Sequence, residues 1–172
     1  MEIEPTPHRL SRPAFIKIFG SIYEHSPWVA EALFDLGISE EDSNPKTIAK
    51  RMATIVDSAG TEKQMMLLRA HPELVGKLAV GESLTFESTA EQASAQLDQC
   101  SSEEFTAFQD LNQRYGKKFG HPFIIAVRGL DRANILSAFR KRISNTPDDE
   151  FQTALNEVHK IAKLRLEQLV RV

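Results

Sequence analysis

The stretch Asn44-Pro45-Lys46-Thr47-Ile48-Ala49-Lys50-Arg51-Met52-Ala53-Thr54-Ile55-Val56-Asp57-Ser58-Ala59-Gly60 contains every sign of one helix, from start to stop. The side-chain oxygen of Asn44 can accept from a first-turn N–H that has no partner within a helix. Pro45 suits the first helical position, where its missing N–H is not needed and its fixed φ is already helical. Ile48, Met52, Ile55 and Val56 fall at steps of three and four, which lines them up on one face. Ser58-Ala59-Gly60 then ends the segment.

The same punctuation recurs on both sides. Upstream, Ser11 stands before Arg12-Pro13, Ala14, Phe15, Ile18 and Phe19 give an apolar face, and Gly20 weakens that helix. Ser26-Pro27 opens a second helix that uses Trp28, Ala32, Leu33 and Leu36, closed by Gly37. Downstream, Thr61 with Gln64 resembles a capping box, and the helix it opens runs through Met65-Met66-Leu67-Leu68 to Ala70. Ser101 with Glu104 is a further capping box, ahead of Phe105, Phe108, Leu111, Asn112 and Tyr115. A seventh helix is expected from about Arg132 to Ser144, and a long last one from Thr146-Pro147 to about Val170. Phe123-Ile124-Ile125-Ala126-Val127 is the exception, a short, continuously apolar, strand-like run with no evident partner strand. The expected fold is all-α: a single-domain bundle of about eight helices with one short buried extended segment at about 123–127. Residues 1–10 are expected to form an N-terminal arm, and residues 11–172 the helical domain.

Composition narrows the function. The 172 residues are 41% hydrophobic and 26% charged, an ordinary globular balance with a net charge of −3. A nucleic-acid binder would show a basic excess, so that class is set aside. Cys100 is the lone cysteine, which leaves no internal disulfide and no thiolate cluster, and suits a reducing compartment. The acidic Met1-Glu2-Ile3-Glu4-Pro5 lacks the apolar run of a signal peptide. No stretch is long enough for a membrane span, and Leu169-Val170-Arg171-Val172 is no peroxisomal address. A cytoplasmic location is the expectation.

Three polar residues stand out. Pro72 pushes the residue before it out of the helical region, so His71 is expected just past a helix end, with an imidazole able to exchange a proton near neutral pH. It could equally satisfy the last carbonyls of that helix. In Ser88-Thr89-Ala90-Glu91, Glu91 is either the far half of a capping box with Ser88 or a site residue. On the last helix the stripe Phe151, Leu155, Val158, Ala162, Arg165, Leu169 places an arginine among apolar positions. A buried guanidinium requires an anion or another acceptor, so Arg165 either joins a structural ion pair or meets a ligand. The 123–127 backbone also needs hydrogen-bond partners, from neighbouring loops, water or a polar ligand. Spacing alone does not bring these residues together.

Four segments resemble one known family. They are His71-Pro72-Glu73-Leu74-Val75-Gly76-Lys77; Ser88-x-x-Glu91-Gln92; Phe119-Gly120-His121-Pro122-Phe123-Ile124-Ile125-Ala126-Val127-Arg128; and Asn145-Thr146-Pro147 through Glu157-Val158-His159-Lys160-Ile161-Ala162-Lys163-Leu164-Arg165-Leu166. Together, in this order, they resemble the 2-oxo-4-hydroxy-4-carboxy-5-ureidoimidazoline (OHCU) decarboxylases from about residue 11 to 170. The resemblance implies an all-helical, cofactor-free and usually dimeric enzyme of urate breakdown that converts OHCU to S-allantoin and carbon dioxide. Position by position it implies catalytic roles for His71, Glu91 and Arg165. It implies substrate-binding roles for Pro72, Ser88, Gln92 and the backbone of Phe123, Ile124, Ile125, Ala126 and Val127. Glu73 and Val75 depart from the family's commoner Asp and Ala, a change that bears on fine substrate placement rather than on the reaction class.

Two other classes compete. A non-catalytic all-helical binding or phosphotransfer-like module would expose its histidine in mid-helix, which Pro72 disfavours for His71. A metal hydrolase would need ligand spacing that His8, His25, His71, His121 and His159 do not show. His25, His121 and His159 are expected in caps, loops or on the surface, and Cys100 is expected to be inert.

Overall fold

The computed structural model describes residues 2–76 and 84–171. Among them are eight α-helices: α1 (Arg12–Phe19), α2 (Trp28–Asp35), α3 (Pro45–Asp57), α4 (Thr61–Ala70), α5 (Phe86–Ser94), α6 (Ser102–Phe119), α7 (Arg132–Arg142) and α8 (Pro147–Glu167). The fold class is all-α, as expected. The one ladder among the described residues pairs β1 (Glu2–Ile3) antiparallel with β2 (Val170–Arg171). No helix of the described residues is long and apolar enough to cross a membrane.

The caps explain most of the boundaries. Asn44 Oδ1 accepts from Lys46 N at 2.9 Å, and Ser101 and Glu104 form the expected capping box of α6. Asp131 caps α7 by accepting from Asn134 N. Gly120, with φ 75°, terminates α6 in the left-handed conformation that residues other than glycine resist.

Three details differ from the sequence reading. Gln64 does not close a box with Thr61; its Nε2 donates back to the carbonyls of Val56 and Asp57, the free end of α3. Ser26 does not cap α2, because its hydroxyl donates to the Glu24 carbonyl at 2.9 Å. Helix α8 stops at Glu167 rather than near Val170, because the chain beyond it is drawn into the ladder, where Val170 lies opposite Ile3.

The chain divides into two compact units, Met1–Ala70 with Val158–Val172, and His71–Glu157. In the first, α1 packs on α2, α2 on α3 and α3 on α4. Its buried residues include Ile3, Phe15, Phe19, Leu33, Ile48, Met52, Leu67 and, from the second half of α8, Val158, Ile161 and Ala162. The second unit has an aromatic core of Phe108, Tyr115, Phe119, Phe123 and Phe139. Phe123 and Phe139 stack nearly parallel, with ring centroids 3.9 Å apart. The segment 122–127 crosses this core as irregular backbone, outside every helix and outside the ladder.

Candidate functional site

The second unit opens with His71, 8% exposed, directly after α4 ends at Ala70. Pro72 thus has the expected effect: the histidine leaves the helix and stays buried. The chain after it is held firmly. Gln92 Oε1 accepts from Val75 N at 3.1 Å, and Asn112 Nδ2 donates to the Leu74 carbonyl at 2.9 Å. Both polar ends of a single peptide unit, the one joining Leu74 to Val75, are therefore gripped by side chains from α5 and α6. Val75 itself has φ 68°, a conformation that a β-branched residue adopts only when its surroundings impose it, at roughly 1–3 kcal/mol. The strain sits four residues from His71, in a loop fixed from both sides.

Helix α5 begins earlier than Ser88. Thr85 is its cap, with Oγ1 accepting from Ser88 N at 3.1 Å. The Ser88–Glu91 capping box is thereby overturned: Ser88 lies inside the first turn, and Glu91 is not needed to close it. Ser88, Glu91 and Gln92 instead share one helix face, three and four residues apart. Ser88 and Gln92 are buried and Glu91 is half-buried.

The 122–127 segment finds part of its hydrogen bonding in side chains. Arg142 Nη1 donates to the Ile124 carbonyl at 2.7 Å, and Ala126 N donates to Glu157 Oε2 at 2.9 Å. Arg142 also lies over the Phe123 ring, 4.4 Å from its centre. Val127 accepts from Leu130 N, which turns the chain toward α7. Neither Arg142 nor Glu157 was among the residues singled out from sequence.

Arg165 belongs to the first unit. It is 3% exposed, and its Nη2 lies 2.8 Å from Oε2 of Glu24, itself 1% exposed. Its Nη1 donates to the Ser21 carbonyl at 3.1 Å. The arginine on the apolar stripe has therefore met a carboxylate, one of the alternatives that the stripe left open. Sequence reasoning missed Glu24. Its only signal was an acid placed directly after Ile22-Tyr23 in a short connection between helices.

Of the sequence-predicted residues, His71, Pro72, Ser88, Glu91, Gln92 and Phe123–Val127 lie in the second unit and Arg165 in the first. The structure joins Gln92 directly to the loop carrying His71.

Of the remaining histidines, His121 lies in the loop after α6, as expected, whereas His159 lies within α8 and is half-buried. His121 is buried against Tyr115 and Phe119. His159 bridges Tyr23, with Oη 2.9 Å from Nδ1, and Asp57, with Oδ1 2.9 Å from Nε2. Burial pushes the Tyr23 phenol well above its usual range, and the nearby Asp57 carboxylate adds to this. The phenol thus stays protonated. Burial and then the neighbouring Glu104 carboxylate push the Cys100 thiol up as well, which keeps it in the unreactive protonated form. Among the described residues, no three His, Cys, Asp or Glu side chains are grouped so as to hold a metal ion.

The family model described as OHCU decarboxylase matches residues 8–167. The 2-oxo-4-hydroxy-4-carboxy-5-ureidoimidazoline decarboxylase of Haloferax volcanii is 43% identical over 159 residues, covering 92% of this chain and 90% of its own length. That of Halalkalicoccus jeotgali is 41% identical over 162 residues, covering 94% and 88%. Among solved structures, the crystal structure of (S)-allantoin synthase superposes with a TM-score of 0.72 at 31% identity over 94% of this chain. The match takes in 51% of that synthase, so this chain spans about half its length. A family match across almost the whole chain, with relatives of comparable length, establishes that the chain belongs to the OHCU decarboxylase family.

Proposed function

We propose that this protein is a carboxy-lyase that decarboxylates OHCU to S-allantoin and carbon dioxide in urate breakdown. The observation that carries the proposal is the clamped loop after α4: in a chain of this family, a buried histidine sits at a helix break, followed by a peptide unit gripped from two helices. His71 follows α4 instead of lying in mid-helix, which speaks against a phosphotransfer-like module.

The chemistry makes modest demands. The bond to the carboxylate breaks, carbon dioxide leaves, and the electron pair moves into the adjoining C=N of the ring. A proton delivered to one face then sets the S centre. The ring itself accepts the electrons, so the proposed reaction is cofactor-independent. The protein orients the substrate, stabilises developing charge and controls the proton. His71 performs the acid–base work at the carbon bearing the carboxyl and hydroxyl groups. Glu91 with Gln92 binds the ureido N–H groups, and Ser88 shares their helix face. Arg165 binds the ring carbonyl, where its planar fork stabilises negative charge as it builds. Pro72 and the Phe123–Val127 backbone complete the substrate contacts. Gln92 has a second duty, holding the Val75 N–H and with it the His71 loop.

The proposal extends to a homodimer working in the cytoplasm, supported by the family resemblance and by the lone cysteine. Light scattering tests the first: a monomeric mass at working concentration contradicts it. The reaction is tested by oxidising urate in the presence and absence of the protein and following carbon dioxide release. Faster release with the protein is expected; an unchanged rate overturns the assignment.

A further inference from the structure

The buried cluster of Tyr115, Arg142, Asn145 and Glu150 takes no part in the chemistry above, yet it ends on the backbone that the proposed function uses. Glu150 is 0% exposed and sits in the first turn of α8. A lone carboxylate there would be costly, but this one accepts four hydrogen bonds. Arg142 donates to its Oε1 through Nε at 2.9 Å and Nη2 at 2.6 Å. The Tyr115 hydroxyl donates to the same oxygen, and Asn145 Nδ2 donates to Oε2 at 2.9 Å. The Glu150 carboxylate is the main partner pushing the already desolvated Tyr115 phenol far above its usual range, so that hydroxyl stays a donor.

Four donors fix the carboxylate, and the carboxylate in turn fixes the Nε–Nη2 edge of the guanidinium. Arg142, 9% exposed, is thus held rigidly by its own partner and spends its remaining edge on the Ile124 carbonyl while covering the Phe123 ring. Two turns further along α8, Glu157 takes the Ala126 N–H. Ile124 and Ala126 are two residues apart, the spacing at which an extended chain turns its backbone groups to the same edge. The protein therefore holds the segment at Ile124 and Ala126, on either side of Ile125.

We infer that Arg142 and Glu150 are positioning residues for the reaction: they set the 123–127 backbone at the place where it binds substrate. The inference rests on the proposed role of that backbone. It also explains why so polar a cluster sits within an aromatic core, where apolar residues of similar volume would serve stability equally well.

The test uses the full chain with Arg142→Met and Glu150→Gln combined, because either change alone strands a buried charge. Helix content and thermal midpoint establish how much of the variant is folded. A purely structural role lowers the active fraction, so the apparent kcat falls while KM is unchanged. A positioning role removes hydrogen bonds made to bound substrate, and KM rises about tenfold. An unchanged KM in the folded variant overturns the inference. In parallel, (S)-allantoin is titrated into the unaltered protein while the backbone amide resonances of residues 123–127 are followed. Shifts in these resonances show that the segment meets the ligand. Their absence overturns the proposed role of the segment itself, and with it the inference, whatever the variant does.

Discussion

The ion pair between Arg165 and Glu24 allows the structural and chemical roles of Arg165 to be separated. Arg165→Met removes the cation 2.8 Å from a carboxylate that is 1% exposed, and removes the donor to the Ser21 carbonyl. Breaking a buried pair from one side costs about 3–5 kcal/mol, because the surviving charge loses its buried counter-charge. The orphaned carbonyl adds about 1 kcal/mol. Against a total stability on the order of 5–15 kcal/mol, the single variant should be marginal or unfolded at room temperature. The double variant Glu24→Gln/Arg165→Met removes both charges at similar volume, and should recover most of the lost stability because buried pairs are often replaceable by neutral residues. It should not recover activity, since no fork remains to bind the ring carbonyl. Urea denaturation followed by circular dichroism gives the first quantity, and allantoin formation at a matched folded fraction gives the second. A double variant that is stable and fully active would make Arg165 a structural residue only. A single variant destabilised by less than about 1 kcal/mol would refute the burial reasoning itself.

Other consequences are open to measurement. Tyr23 and Tyr115 are the two tyrosines of the chain, and burial raises both above the usual phenol range. A pKa raised in the fold means the folded state holds protons that the unfolded state releases. Stability should therefore be intact below about pH 10, the unfolded value, and fall as pH rises beyond it. Tyrosinate absorbance should appear only together with unfolding; a reversible native titration near pH 10 would contradict the buried placement. Gln92→Leu leaves the Val75 N–H buried without its acceptor, which should cost about 1–3 kcal/mol. It should also depress turnover beyond the loss of folded protein, because the His71 loop loses one of its two grips; turnover that only tracks the folded fraction would remove Gln92 from the positioning of His71. Thr85→Ala should cost α5 about 1 kcal/mol, while Ser88→Ala should leave its capping intact. The reverse order in thermal melts would restore Ser88 as the cap.

The helices were legible because each start and stop is written locally. Asn44-Pro45, Ser101 with Glu104, and Gly120 act on their own neighbours, and no distant residue alters them. Gln64, Ser26 and Ser88 misled because a polar side chain near a helix end has several partners in reach. Gln64 found the carbonyls of α3, Ser26 the Glu24 carbonyl, and Thr85 reached the first turn of α5 before Ser88 was needed. The β1–β2 ladder was not legible, because it joins two-residue segments at opposite ends of the chain. For the site, Pro72 foretold where His71 leaves its helix, and the apolar stripe foretold that Arg165 would need an acceptor. The identity of that acceptor depends on a turn 141 residues earlier, which no periodicity on α8 reports. Arg142 shows the same signature, following Ile135 and Phe139 at helical steps, and the reasoning applied to Arg165 would have found it.

The most direct measurement follows the handedness of allantoin when OHCU is generated from urate in the presence of the unaltered protein or of His71→Gln. Circular dichroism reports both rate and sign. The unaltered protein should give the S form quickly. The variant, with its helix content preserved, should be slower by about 10²- to 10⁴-fold, the usual contribution of a positioned acid–base group, and should approach the racemate of spontaneous decay. A racemate formed at the uncatalysed rate with the unaltered protein, or near-full turnover by His71→Gln, would contradict the assignment.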